Sequence, residues 1–126
     1  MPHGLTVDHE NNIWVTDVAL HQVFKFLPLD LNSNTSSLGK PVLTLGTAFE
    51  PHNDNSHFCK PTDVAVDKHT GDFFVSDGYC NSRIIKYDKS GKQLLTWGRP
   101  SPPFGKNIFV LPNPNCFNDT ILMHFR

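Results

Sequence analysis

The 126-residue sequence balances 11 Lys and Arg against 12 Asp and Glu, a formal net charge of −1, and 38% of it is hydrophobic. That length holds one ordinary domain with a real core, and the near-neutral charge without clustered bases argues against a nucleic-acid or membrane-surface binder. No apolar run approaches the roughly 18 residues of a membrane span, and the opening MPHGLTVDHE lacks the charged and then apolar regions of a signal peptide, so no export route is visible.

Ten prolines, eight glycines and ten phenylalanines, with little heptad patterning, predict short strands and tight turns rather than helices. From Pro2 to Phe26, PHGLTVDHENNIWVTDVALHQVFKF reads as strand, Asp/Asn turn, strand, variable turn, strand. The longer polar connection LDLNSNTSSLGK leads to a fourth strand in PVLTLG, Pro41 to Gly46. The pattern then recurs in PTDVAVDKHTGDFFVSDGYCNSRIIKY, Pro61 to Tyr87, with one or two residues inserted. Pro2 aligns with Pro61, Val7-Asp8 with Val66-Asp67, Trp14-Val15 with Phe74-Val75, Asp17 with Asp77 and Lys25 with Lys86. A turn of the type expected from DKSG, Asp88 to Gly91, leads to KQLLTWG, Lys92 to Gly98, as the fourth strand of this copy.

The repeat period is about 60 residues, and four short antiparallel strands per unit make a propeller blade. The expected fold is all-β, with blade one over about 1–47, blade two over about 58–98, and a divergent, irregular tail over 99–126. In VAVD and FFVSD the Val and Phe side chains are placed to interleave between neighbouring sheets. Asp8, Asp17, Asp67 and Asp77 are expected to close turns by accepting from nearby backbone amides. Two blades alone leave apolar faces and edges without partners, so the chain reads as part of a larger ring.

PHGLTVD, WVTDVALHQVFKF, FCKPTDVAVD and VSDGYCNSRIIKY resemble the peptidyl-α-hydroxyglycine α-amidating lyases, the lyase domain of the peptidylglycine α-amidating monooxygenase family, over most of Pro2 to Gly98. The resemblance implies an NHL-type, six-bladed propeller of the secretory pathway, found in secretory granules or outside the cell. Such an enzyme cleaves a peptidyl-α-hydroxyglycine substrate to a peptide amide and glyoxylate. It uses a catalytic zinc held by histidines from different blades, a structural calcium, a tyrosine base and arginines that grip the substrate carboxylate. Carried over position by position, the resemblance makes His3 a zinc ligand, Leu5 a calcium contact through its backbone carbonyl, Tyr79 the catalytic base, and Cys59 and Cys80 a disulfide pair. That pairing would explain why the turn GYCNS carries a thiol beside a phenol, because the bond would pin the tip that bears Tyr79.

Taken without the family, the same residues read more plainly. His3 alone would be structural or exposed, since a zinc site needs three or four ligands. Tyr79 would be a packing residue, because an unperturbed phenol with a pKa of about 10 is a poor base at neutral pH. His9, His21, His52, His57, His69 and His124 form no HxxxH or comparable ligand pair and are assigned to surface or packing roles. Arg83 belongs to the repeat's Asn-x-Arg-Ile element and reads as structural. Asn34 and Asn118 open N-glycosylation patterns, which matter only in the secretory lumen.

The family's other zinc histidines and its main substrate arginines have no counterpart in these residues. After TWG the sequence turns to RPSPPFGKNIFVLPNPNCFNDTILMHFR, which has no repeat match and leaves Cys116 without an evident partner. Two functions are consistent with this. One is a lyase fragment, nearly inactive alone, whose complete form works with a linked or separate monooxygenase domain. The other is a noncatalytic NHL-repeat module that binds a protein partner.

Overall fold

A computed structural model describes residues 1–32 and 37–98. The expected tail, with Cys116, Asn118 and His124, lies outside the described residues, as does Asn34. Eight strands follow in chain order: β1 (Pro2–Val7), β2 (Ile13–Asp17), β3 (Gln22–Phe26), β4 (Leu43–Leu45), β5 (Asp63–Val66), β6 (Phe73–Asp77), β7 (Arg83–Tyr87) and β8 (Gln93–Gly98). They form two four-stranded antiparallel sheets, ordered β1-β2-β3-β4 and β5-β6-β7-β8, so sequence neighbours are spatial neighbours. This is the all-β arrangement expected of two consecutive blades. No helix occurs among the described residues, and so none is long and apolar enough to cross a membrane.

Short-range carboxylate bonds make the turns. The Asp8 carboxylate accepts from the Glu10 and Asn12 amides at 2.9 Å each, Asp17 from Ala19 and Leu20 at 2.8 Å, and Asp67 from His69 at 2.8 Å. Each bond mimics a backbone turn and so sets where a strand stops. Asp8 also accepts from the Trp14 indole at 2.9 Å.

Burial pushes the Asp8 carboxyl up, but hydrogen bonds from Trp14, Asn12 and Glu10 outweigh it and hold the group below its ordinary 3.8. A folded-state pKa lowered in this way gives stability that is complete above the unfolded value and is lost as pH falls through the folded one. Stability measured by urea unfolding is therefore expected to fall with acid below pH 3.8. Asp8→Asn should flatten that low-pH limb, and an unchanged slope would show that Asp8 does not contribute to it.

Alternation along the strands decides the core. One face of the first sheet, with Trp14, Val23, Leu43 and Leu45, lies on the face of the second that carries Val64, Phe73, Val75, Ile85 and Tyr87. Trp14 and Phe73 meet with ring centroids 4.5 Å apart, Phe73 stacks on Tyr87 at 5.1 Å, and Phe58 enters the same core from the connection between the sheets. Phe74 points to the opposite face, where it stacks on Trp97. The repeat shows in side-chain detail as well as in strand order: Lys25 lies over the Trp14 ring at 5.1 Å and Lys86 over the Phe74 ring at 5.7 Å.

Matching positions nevertheless differ in exposure. Val64 in β5 is 4% exposed because the first sheet covers it, whereas its counterpart Leu5 in β1 is 70% exposed and Val7 is 55% exposed. Leu5, Val15, Phe24, Phe26 and Leu38 line a shallow apolar depression on that outer face. A propeller blade is built to meet a neighbour on both faces. The exposed row on the first sheet is the one that the second sheet buries, which is the physical sense of the propeller reading.

Candidate active site

The site forms where β1 crosses the start of β5. The Thr6 hydroxyl donates to the Val64 carbonyl at 2.8 Å, tying the two strands together. Gly4 permits the approach: a Cβ there would run into the Thr62 carbonyl and lie 2.9 Å from the Thr16 hydroxyl. The pairing of β1 with β2 also shifts register between Pro2 and Leu5. Irregularities of this kind re-aim side chains, and His3 lies within this one.

His3 consequently reaches the second sheet. Its Nδ1 is 3.1 Å from the Thr62 carbonyl oxygen and its Nε2 is 2.9 Å from the Tyr79 hydroxyl, with the two rings nearly perpendicular at 82°. A carbonyl can only accept, so in the neutral ring Nδ1 donates to Thr62, Nε2 carries the lone pair, and the phenol donates to it. Two of the residues singled out in the sequence, 76 positions apart, are thus brought into direct contact.

Tyr79 stands on the β6–β7 turn and is 56% exposed, but the turn beneath it is held firmly. Cys80 is bonded to Cys59, with the Cα atoms 5.5 Å apart. Asp77 departs from the expected role of closing its own turn. It is fully buried, and one carboxylate oxygen accepts from the Cys59 amide at 2.8 Å. The other oxygen meets Arg83 Nε at 3.0 Å and Asn81 Nδ2 at 2.6 Å. Arg83 also donates to the His57 carbonyl at 2.7 Å and Asn81 to the His52 carbonyl at 2.9 Å. The side chain of Arg83 is therefore spent inside the protein, in agreement with its structural reading.

A disulfide across 21 positions should stabilise the fold by roughly 3 kcal/mol on the chain-entropy estimate. Cys59→Ser is expected to lower the unfolding free energy by about that amount in denaturant titrations. A loss no larger than that of a surface substitution would remove the bond from the account of how this turn is held.

The chain's other tyrosine, Tyr87, is buried in the core, and burial pushes its hydroxyl up. Tyr79 is left as the accessible phenol. Leu5 points its side chain to the outer face, with its backbone opposite Val15 in the β1–β2 pair. His21 takes a packing role, its Nδ1 accepting from the Lys60 amide at 3.0 Å.

His3 suits a metal in one respect. An imidazole whose Nδ1 is held by a carbonyl is oriented as ligating histidines usually are, with Nε2 unprotonated. His3 Nε2 therefore fits as one ligand of a metal, in place of its hydrogen bond with the phenol, with the remaining ligands to come from elsewhere.

A second cluster was not anticipated. Ligand atoms of Glu50, His52 and His57 all lie within 4.8 Å of one another, a possible metal-binding triad in the connection between the sheets. His57 Nδ1 is 2.8 Å from an Asp54 oxygen and its Nε2 is 3.5 Å from Glu50. The hydrogen bond to Asp54 raises the His57 pKa above 6.5 despite some desolvation. The sequence reading put His52 and His57 in surface or packing roles. These donors lie in a loop, which need not space its ligands as a periodic pair such as HxxxH does. The density of donors in EPHNDNSH was the available signal.

Comparison with known proteins places these features in company. The NHL repeat family matches residues 1–26 and 58–87, which hold the first three strands of each sheet. Peptidyl-alpha-hydroxyglycine alpha-amidating lyase 1 of Drosophila melanogaster is 59% identical over 99 residues, covering 79% of this chain and 17% of the relative. Peptidyl-glycine alpha-amidating monooxygenase B of Xenopus laevis is 55% identical over 93% of this chain and 12% of the relative. A probable amidating lyase of Caenorhabditis elegans is 44% identical over 90% of this chain and 30% of the relative. The chain thus spans less than a third of each of these relatives.

Proposed function

The chain belongs to the amidating-lyase family of NHL-repeat proteins, and from that premise we propose that it forms part of an active site that cleaves peptidyl-α-hydroxyglycine to a peptide amide and glyoxylate. The observation that carries the proposal is the 2.9 Å contact between His3 Nε2 and the Tyr79 hydroxyl, made across two blades.

The reaction breaks the bond between the amide nitrogen and the hydroxylated carbon. The bonding pair leaves with nitrogen, the hydroxyl oxygen becomes the aldehyde oxygen of glyoxylate, and the hydroxyl proton is delivered in net to the nitrogen. Tyr79 is the base for that proton. His3 holds the phenol oxygen at the mouth of the site, and the bridged turn restricts where it can swing. A bound zinc would supply a Lewis acid that favours the ionised form of nearby oxygens, which an ordinary phenol needs to act at neutral pH. His3 Nε2 would be one of its ligands, giving the ion the lone pair that accepts from the phenol when no ion is bound, so that the Tyr79 oxygen would be free to take the proton. The Leu5 carbonyl would contact a structural calcium, an ion that takes oxygen ligands.

With one inter-blade imidazole, the isolated chain should turn over little, and the complete domain should supply the other ligands and the substrate-gripping arginines. The Cys59–Cys80 bond suits an oxidising compartment such as the secretory pathway, where Asn34 and Asn118 would be open to glycosylation. The hydroxylated substrate would come from a monooxygenase, linked or separate.

The test is glyoxylate release from an α-hydroxyglycyl peptide with zinc present, on the complete protein that contains this segment. Turnover that depends on both His3 and Tyr79 is expected. Turnover indifferent to both substitutions would reject these roles. A zinc-loaded protein that releases no glyoxylate would favour a noncatalytic NHL-repeat interaction module.

A further inference from the structure

We propose that Glu50, His52 and His57 form a second metal site, independent of the His3–Tyr79 pair, which takes a divalent first-row transition ion and clips the loop that joins the two blades. Two imidazoles with one carboxylate favour zinc and its neighbours in the series over calcium or magnesium, which prefer all-oxygen sets.

The loop is built in a way that presents these donors. His57 Nδ1 is engaged by Asp54 at 2.8 Å, which leaves Nε2 directed toward Glu50 at 3.5 Å. A carboxylate behind a histidine, fixing its ring for the metal, is the usual support of a ligating imidazole. The His52 ring sits edge-on to that of His57, with centroids 4.8 Å apart.

The backbone is fixed as well. The carbonyls of His52 and His57 are held by Asn81 and Arg83, and both of those side chains are anchored on the buried carboxylate of Asp77. The buried polar cluster under the Tyr79 turn thus also sets the two histidines at a fixed separation. Small side-chain rotations bring three donors already within 4.8 Å onto one ion. Glu50 and His52 are exposed, so an ion has open access and water can complete its coordination. The loop runs on through Phe58 in the core to Cys59, so an ion here would restrain the chain entering the second blade.

The site is tested by equilibrium dialysis against Zn2+, with Co2+ as a spectroscopic probe, on the complete protein and on variants. His57→Gln and Glu50→Gln should each abolish one class of bound metal, and the visible bands of Co2+ at that site should go with it. Asp54→Asn should weaken the same class by about 10–100-fold, as expected for the partner of a ligating histidine. His3→Ala should leave it intact. Glu50 is exposed, so its substitution reports binding without a folding defect. Metal retained in both His57→Gln and Glu50→Gln, or metal lost only in His3→Ala, would overturn the assignment.

Discussion

Tyr79→Phe is expected to lower lyase turnover by about 10²–10⁴-fold, the range for loss of a positioned general base. The substitution removes one oxygen. Tyr79 is 56% exposed and its hydroxyl makes its hydrogen bond to His3, so the fold should lose no more than about 1 kcal/mol. His3 keeps its bond to the Thr62 carbonyl in the variant and should remain able to hold metal. The measurement is kcat and zinc content together. A fall in kcat at unchanged zinc content marks Tyr79 as the group that moves the proton, whereas His3→Ala should lower both. If turnover falls only in proportion to lost zinc, Tyr79 is a ligand or a prop and the base lies elsewhere.

Asp77→Ala should destabilise the second blade by about 3–5 kcal/mol. The carboxylate is fully buried and pairs with Arg83, itself only 5% exposed. Removing it leaves a guanidinium in the interior without its counter-charge, and the Cys59 amide and Asn81 each lose an acceptor. Urea unfolding of Asp77→Ala, Arg83→Met and the double variant gives the coupling directly. The double variant should be less damaged than the sum of the singles, since no unpaired charge remains. A loss below about 1 kcal/mol for Asp77→Ala would mean that water reaches Arg83 and the cluster holds little.

Much of the blade architecture was legible from the sequence because its causes are local. Short apolar runs in FFVSD and RIIKY mark strands buried on both faces, and Asp8, Asp17 and Asp67 bond amides only two to four residues away. The match of Lys25 with Lys86 was visible as letters, and the structure gives it a shared physical role over an aromatic ring. Asp77 shows where local reasoning stops. It matches Asp17 in the repeat, yet its amide partner is Cys59, 18 positions upstream, because the neighbouring loop passes over the turn.

The site divides in the same way. The resemblance to amidating lyases named His3, Tyr79 and the Cys59–Cys80 pair, while the residue pattern alone offered a lone histidine and an odd turn. The Glu50, His52 and His57 cluster escaped both approaches, since loop donors converge through anchors elsewhere in the chain.

Strand positions, turn chemistry and the two-fold repetition of the blade are written into neighbouring residues, through side-chain alternation and carboxylate bonds that span a few positions. Which donors face one another is not, because it depends on how closely two sheets cross. Here that crossing is set by Gly4 against the Thr62 carbonyl and by Trp14 packed on Phe73, contacts between residues about 60 positions apart. Only once those surfaces close does His3 come within hydrogen-bond reach of Tyr79.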